Sequence, residues 1–494
     1  MRPGEPHAGT GVVTEDLDYP RPHFWRIAFW LAIAAGAALR LFALDWRPLH
    51  HDEAVNWWFG GRWLAGEFRY DPGNYHGPLL FALAGWLRPL ADFGEWGVRL
   101  PVALASTFLP VALLPLQRVL GWRTLALVAA LLATSTTLLW VGRYFIHETL
   151  LVAASLAAAA CFARWIATRD GRAWAGAAFA VAVMFALKET TIATLAAFAA
   201  AVGVAALPAW RAGETPRALA ARLWPGPRHA AIGVGAGALL LAWGYTSGFT
   251  HAGGLVDFGR AFALWSHTGA AGAGHEKAWW YHAALLGRYE PGLLLLAAAA
   301  WPRLRRGDPY ALFVATWFVA LLAAYSITPY KTPWLIVNAT LPLALLAALA
   351  VDDWLARRPR AASGAFVVAL VLQLVLAARL SFLHFTDERE PMVYMQHTEV
   401  VRDLAARVVA ASARLGGGAV LIESGESWPL PYYLRALRKV SYSSGPYNEA
   451  NEPIVLVDTR LGDVPPREAE RYTREQVDVR PNQGYVLWLR RDSR

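Results

Sequence analysis

Phe24 to Leu44 reads FWRIAFWLAIAAGAALRLFAL, and after a five-residue gap the chain continues His50-His51-Asp52-Glu53. The first stretch is long enough to cross a bilayer, which takes about 20 apolar residues. Two imidazoles and two carboxylates at the lip of such a helix are costly unless they have a task. Two more polar knots interrupt later apolar sequence, Arg143-Tyr144-Phe145-Ile146-His147-Glu148 and Tyr330-Lys331-Thr332-Pro333. A topology that puts all three on one side of the membrane lets them build one site.

The composition points the same way. Hydrophobic residues make up 56% of the 494, with 24 Trp and a positive mean hydropathy, above the ~45–50% of soluble domains. This is an all-α polytopic membrane protein with a small soluble tail. Its formal charge of +9 does not indicate nucleic acid, because the arginines fall in short clusters between apolar runs and not along one soluble face. The single cysteine, Cys161, lies inside an apolar run. One cysteine makes no intramolecular disulfide, and thiol chemistry is a poor basis for function here. Polar, Pro-rich sequence precedes Phe24 and no small-x-small cleavage site follows Leu44, so the first run reads as a retained helix and not a signal peptide.

Apolar runs predict about eleven spans, at 24–44, 98–118, 123–141, 148–167, 173–188, 190–208, 229–248, 285–301, 310–327, 333–351 and 361–383. The stretch 77–91, broken by Gly77, Pro78, Arg88 and Pro89, reads as an interfacial helix. With residues 1–23 as a cytoplasmic tail, every inner segment is arginine-rich, from Arg118 and Arg123 to Arg357, Arg358 and Arg360, as the positive-inside rule asks. Counting 77–91 as a span would put Arg164, Arg169 and Arg172 outside. The three polar knots then all face outward. The expected organisation is a membrane domain at 24–383, with a large first outer loop at 45–97, and an outer α/β domain at 384–494. In that tail Val400 to Leu415 reads as an amphipathic helix, and 419–422, 454–457 and 485–489 as strands. It shows no metal-ligand spacing, phosphate loop or nucleophile elbow, and reads as a lid or docking platform.

Each polar residue also has a structural alternative. Asp52 and Glu53 could cap an interfacial helix, whose N-terminus favours negative charge. Neighbouring helical residues point ~100° apart, so the two cannot both face one centre. Arg40 could snorkel to the headgroups or pair with a loop carboxylate. Arg143 and His147 are four apart, as are Tyr144 and Glu148, which on a helix gives two polar stripes. Lys188-Glu189 is either a local ion pair or part of the site. Trp57, Trp58, Phe59 and Trp63 read as an interfacial belt. His251, His267, His275 and His282 show no ligand spacing, and of these only His275-Glu276-Lys277 stands out as a polar cluster.

The opening His-Asp-Glu of a large first outer loop, the element Tyr70-Asp71-Pro72-Gly73-Asn74-Tyr75-His76-Gly77-Pro78-Leu79-Leu80 and the acidic residue of the second outer loop resemble the GT-C membrane glycosyltransferases. Within that superfamily the chain is similar to the protein O-mannosyltransferase and aminoarabinose-transferase branch. It looks closer still to a prokaryotic group named for association with flippase activity in archaeal-type N-glycosylation. The resemblance implies a GT-C fold in a prokaryotic plasma membrane. It also implies a polyprenyl-phosphate-linked sugar as donor and a glycan, lipid or protein as acceptor.

Inverting displacement needs a carboxylate to take the acceptor proton and positive charge to hold the departing phosphate. On this resemblance Asp52 is the base, and Glu53 and Glu148 are the further catalytic candidates. Arg143 and Lys331 are the phosphate clamp, with His51, Tyr75, His76 and His147 as further substrate-binding candidates. Where the aminoarabinose-transferase pattern has an acidic and a basic residue, this chain has Tyr75-His76. Asp52, His76 and Glu148 could hold a divalent metal without a diagnostic spacing. Two other classes stay open: a flippase, which should show internal repeats and broken mid-membrane segments, and a non-catalytic accessory subunit.

Overall fold

The computed structural model describes residues 22–74, 76–271, 274–447 and 449–491. At the centre of its helical part stands Val337–Arg357, buried on every side from Val337 to Val351. A helix that is apolar all round belongs in the interior. Around it pack Pro309–Ile327, Pro291–Ala298, Gln117–Thr134 and Pro359–Ala378. Further out, Pro22–Leu41 lies along Gln117–Thr134, His147–Thr168 along Gly171–Leu187, and Thr191–Arg211 along Pro309–Ile327.

Among the described residues, seven helices are long and apolar enough to cross a membrane, or eight if the bent pair Tyr281–Tyr289 and Pro291–Arg305 counts as one span. The difference from the eleven expected spans has local causes. Arg88–Thr134 forms one apolar stretch of 47 residues, which as a straight helix would run ~70 Å, more than twice the hydrocarbon thickness. Pro110, Pro115 and Gly121, the last at φ 74°, break it, and both arms pack on Pro22–Leu41. Gly171–Leu187 stops at 17 residues. In Pro227–Tyr245, Gly233, Gly235, Gly237 and Gly244 dilute the apolar character. The expected straight span 285–301 is instead bent by 93° at Glu290-Pro291. The proline cannot continue the hydrogen-bond ladder, and the Glu290 carboxylate accepts from the Ser135 and Thr137 hydroxyls at 2.8 and 2.7 Å.

The loop expected to be the first outer one holds the helix His51–Leu64, the short helix Leu79–Trp86 and a 3-10 turn, Arg88–Phe93. A later segment folds into an unanticipated helix, Gly254–Ala271.

The C-terminal part has five strands: β1 (Val420–Glu423), β2 (Val440–Ser443), β3 (Ile454–Asp458), β4 (Tyr472–Arg480) and β5 (Gln483–Arg490), in the order β2-β1-β3-β5-β4. β1 is parallel to β2 and β3, while β5 runs antiparallel to β3 and β4. The helix Val400–Arg414 covers one face with Val401, Leu404 and Val408. β1, β3 and β5 fall where the apolar runs predict strands. β2 and β4 are sheet edges; β4 is largely exposed and shows no alternation to read.

This part docks on that loop through Glu95. That carboxylate accepts from Arg402 Nε at 2.8 Å and the Tyr433 hydroxyl at 2.6 Å. The Tyr433 oxygen in turn accepts from Leu49 N–H at 2.8 Å.

Candidate active site

His50 is the N-cap of His51–Leu64 and fixes where the next residues point. Its Nδ1 accepts from Asp52 N–H at 3.2 Å, so that nitrogen carries no proton. Nε2–H then donates to the Tyr394 carbonyl at 3.0 Å. Burial also pushes the His50 imidazole below its ordinary range, so it is neutral. Asp52, one turn position on, keeps 40% of its side chain exposed and faces a cavity of about 460 Å³. Glu53 completes the capping box by accepting from His50 N–H at 2.9 Å, and its carboxylate is turned the other way.

The cavity's walls come from distant parts of the chain. His51, Asp52 and Asn56 come from the helix His51–Leu64, and His147 and Glu148 from the start of the helix His147–Thr168. There Lys188 pairs with Glu148, and His76 Nδ1 lies 3.0 Å from Glu189. Burial would raise the Glu189 carboxyl, but His76 and Lys188 hold it below the ordinary range. Tyr325, Thr328, Tyr330, Thr332 and Trp334 line a third side. The roof is Tyr394, Met395 and Glu426 from the C-terminal part. Glu426 lies 3.0 Å from His51 Nδ1 and 3.0 Å from Arg480. Burial pushes its carboxyl up, and these two neighbours overcome that and hold it well below the usual carboxylate range.

Residues 75–216 match the family described as dolichyl-phosphate-mannose-protein mannosyltransferase. Over 186 residues the chain is 28% identical to undecaprenyl phosphate-alpha-4-amino-4-deoxy-L-arabinose arabinosyl transferase 1 of Pseudomonas fluorescens (strain Pf0-1). That alignment covers 35% of this chain and 31% of the relative, so the chain spans about a third of the curated relative it matches. The fold follows ArnT from Cupriavidus metallidurans in the apo state, with a TM-score of 0.63 at 16% identity over 93% of this chain and 97% of that one. The same protein bound to undecaprenyl phosphate gives 0.60 at 16% identity over the same shares. The Archaeoglobus fulgidus oligosaccharyltransferase gives 0.50 at 14% identity over 88% of this chain and 68% of that one. The chain thus has the fold of these membrane glycosyltransferases, and its residues 75–216 are similar in sequence to them.

Within this GT-C fold the three polar knots meet. Asp52, His51, His76, His147 and Glu148 all line the cavity. Tyr75 lies outside the described residues. Glu53 does not reach the cavity, which corrects its reading as a catalytic candidate. It is fully buried against Arg99 at 2.7 and 2.6 Å and accepts from Phe145 N–H at 2.9 Å. Arg143 is corrected too: its guanidinium donates to the carbonyls of Leu39, Arg40, Phe42 and Ala43 and so caps the end of Pro22–Leu41. Lys331 is enclosed between two cavity residues, Tyr330 and Thr332, with its ammonium on the Thr328 carbonyl. Arg40 neither snorkels nor meets a carboxylate; it is buried on Ser106 at 2.7 Å and the Leu132 carbonyl at 2.9 Å.

Among the described residues no three His, Cys, Asp or Glu side chains are placed to hold a metal ion. Asp52, His76 and Glu148 line the same cavity, but His76 is taken by Glu189 and Glu148 by Lys188. These donors do not fit a preformed ion site.

Glu426, Tyr394 and His275 are cavity residues to which the sequence pattern assigns no role. Glu426 follows the carboxyl end of a parallel strand, where α/β sheets gather ligands, and that position is a usable signal. His275 Nδ1 reaches the Tyr394 hydroxyl at 2.5 Å, a contact between residues too far apart in sequence to foresee.

Proposed function

We propose that this chain transfers a sugar from a polyprenyl phosphate to an acceptor hydroxyl, with inversion, at the outer face of a prokaryotic plasma membrane. The observation that carries this reading is the state of Asp52. Of the four carboxylates lining the cavity, Glu148, Glu189 and Glu426 each face a cation or an imidazole within hydrogen-bonding reach. The imidazole nearest Asp52, at 3.9 Å, presents a nitrogen without a proton. Asp52 is thus partly solvated, and its carboxylate oxygens face the cavity free to accept.

In the proposed step the acceptor hydroxyl gives its proton to an Asp52 carboxylate oxygen as its own oxygen bonds the anomeric carbon. The bond from that carbon to the phosphate oxygen breaks on the opposite face, and the lipid phosphate leaves with the electron pair. A phosphate is already a good leaving group, so no general acid is needed. His51, held beside Glu426, and the Lys188–Glu148 and His76–Glu189 pairs orient the sugar and its phosphate. The acceptor enters from the side roofed by Tyr394 and Glu426, and is a glycan, lipid or protein hydroxyl. An accessory or flippase role would leave an unpaired carboxylate in a polar cavity with nothing to do.

The test is transfer of labelled sugar from a panel of polyprenyl-phosphate sugars by the purified protein and its Asp52→Asn variant. Transfer should fall by about a hundredfold or more, the usual yield of a general base, with the variant still folded. Full activity in the variant would remove Asp52 from the mechanism.

A further inference from the structure

The cavity has a second polar pole, around Lys188, Glu189 and Thr190, where hydroxyl groups are left without partners. Thr190 and Tyr325 both line it and each side chain is only 5% exposed. Neither hydroxyl has a hydrogen-bond partner among the described residues. Buried polar side chains are nearly always satisfied, so each exception asks for an explanation. Thr191 and Thr194, on the first turn behind Thr190, have unpartnered buried hydroxyls as well.

The same pole carries a cation and a helix end. Lys188 gives one of its three ammonium donors to Glu148, and an ammonium carries two more. The 21-residue helix Thr191–Arg211 begins here and directs its positive end at the same place. Its first N–H groups are already spent, Thr191 on the Lys188 carbonyl and Ala193 on the Thr190 carbonyl. The helix therefore contributes field, and the hydroxyls contribute the hydrogen bonds.

These groups share one chemistry, since all of them offer protons. The two carboxylates nearby, Glu148 and Glu189, are each matched by Lys188 or His76. The missing partner is a group rich in acceptor oxygens. Tyr325 ends the helix Pro309–Ile327, which packs along Thr191–Arg211. The pole thus sits at the mouth of two apolar helices, where a lipid phosphate can rest with its chain between them and the bilayer.

We infer that the phosphate of the lipid donor seats against Lys188, Thr190 and Tyr325, a subsite formed by residues other than Arg143 and Lys331. This rests on the glycosyltransferase reading above. Thr190→Val and Tyr325→Phe each remove one hydroxyl at nearly constant shape, so both should fold.

The experiment measures binding of undecaprenyl phosphate, undecaprenol and inorganic phosphate to the nanodisc-embedded protein, using tryptophan fluorescence. Each variant should weaken undecaprenyl phosphate by about fivefold and the double variant by more, the factor one ordinary hydrogen bond carries. Undecaprenol should be unaffected, and inorganic phosphate should not compete at millimolar concentration. Unchanged undecaprenyl phosphate affinity in both variants would overturn the subsite, while sugar transfer by the wild type would still stand. Competition by inorganic phosphate that is lost in the same variants would make this a site for free phosphate and overturn the lipid assignment. A wild type that binds the phosphate no better than the alcohol would sink the donor reading, and this inference with it.

Discussion

At the start of the helix His51–Leu64, one step of helical rotation separates a carboxylate that meets the cavity from one sealed in the protein. The ~100° between neighbours allows only one of Asp52 and Glu53 to face the site, and that much is legible in the sequence. The choice between them depends on Arg99, which sits 46 residues away and reaches Glu53 with two hydrogen bonds. Burial pushes the Glu53 carboxyl up, and Arg99 and Arg47 more than reverse this and bring it down to about 2 from its ordinary 4.5.

A carboxyl held lower in the folded state stabilises it fully above pH 4.5, and that contribution is lost as the pH falls toward 2. Thermal scans of the wild type at pH 7 and pH 3 should show the loss. Glu53→Gln, which leaves the buried Arg99 with only Glu95, at 3.8 Å, as a carboxylate partner, should be less stable by about 3 kcal/mol at pH 7 and should change little across that window. A variant as stable as the wild type at pH 7 would mean that the pair is not holding the loop. Arg143 shows the same limit of sequence reading. Its place in a polar knot suggests a ligand, and only the fold reveals four helix-end carbonyls waiting for it.

Among the elements, the helix Val400–Arg414 and strands β1, β3 and β5 are readable because each has one buried face or a short apolar run. The edge strands β2 and β4 and the bend at Glu290-Pro291 are not, because their conformation is set by neighbours. The same holds for the docking of the C-terminal part, where Arg402 spans Glu95, the Asp45 and Trp46 carbonyls and Glu399. This contact fixes Tyr394 and Glu426 over the cavity. Arg402→Ala should loosen it, and trypsin should then cut faster after Arg389, whose side chain is 89% exposed in the connecting segment. A rise of about tenfold corresponds to losing one good clamp, and sugar transfer should fall with it. An unchanged cleavage rate would show that the remaining contacts, Leu49 to Tyr433 and His51 to Glu426 among them, hold the domain without Arg402.

For the whole molecule, two sets of contacts separate the protein's ends independently of any charge rule. Arg123 meets Asp352 at 2.6 Å, Arg303 meets Asp308 and Asp352 at 3.1 and 3.2 Å, and Arg306 meets Asp353 at 2.8 Å. Three segments assigned to the inner side by their arginines therefore lie together. At the other end, the knots around His51, His147 and Tyr330 share one cavity with Glu426. Sidedness is thus consistent within the fold, and what has to be fixed is which end faces the cytoplasm.

Cys161 is the only cysteine, so a Cys161→Ala background gives a blank against which single cysteines can be placed. Tyr447→Cys, at an exposed position beyond β2, should react with a membrane-impermeant maleimide on intact cells. Arg217→Cys, in the segment between Thr191–Arg211 and Pro227–Tyr245, should react only after permeabilisation. The reverse pattern would turn the cavity toward the cytoplasm. The acceptor would then have to be a cytoplasmic hydroxyl, and the transfer proposed at the outer face would fail even with Asp52 in its role.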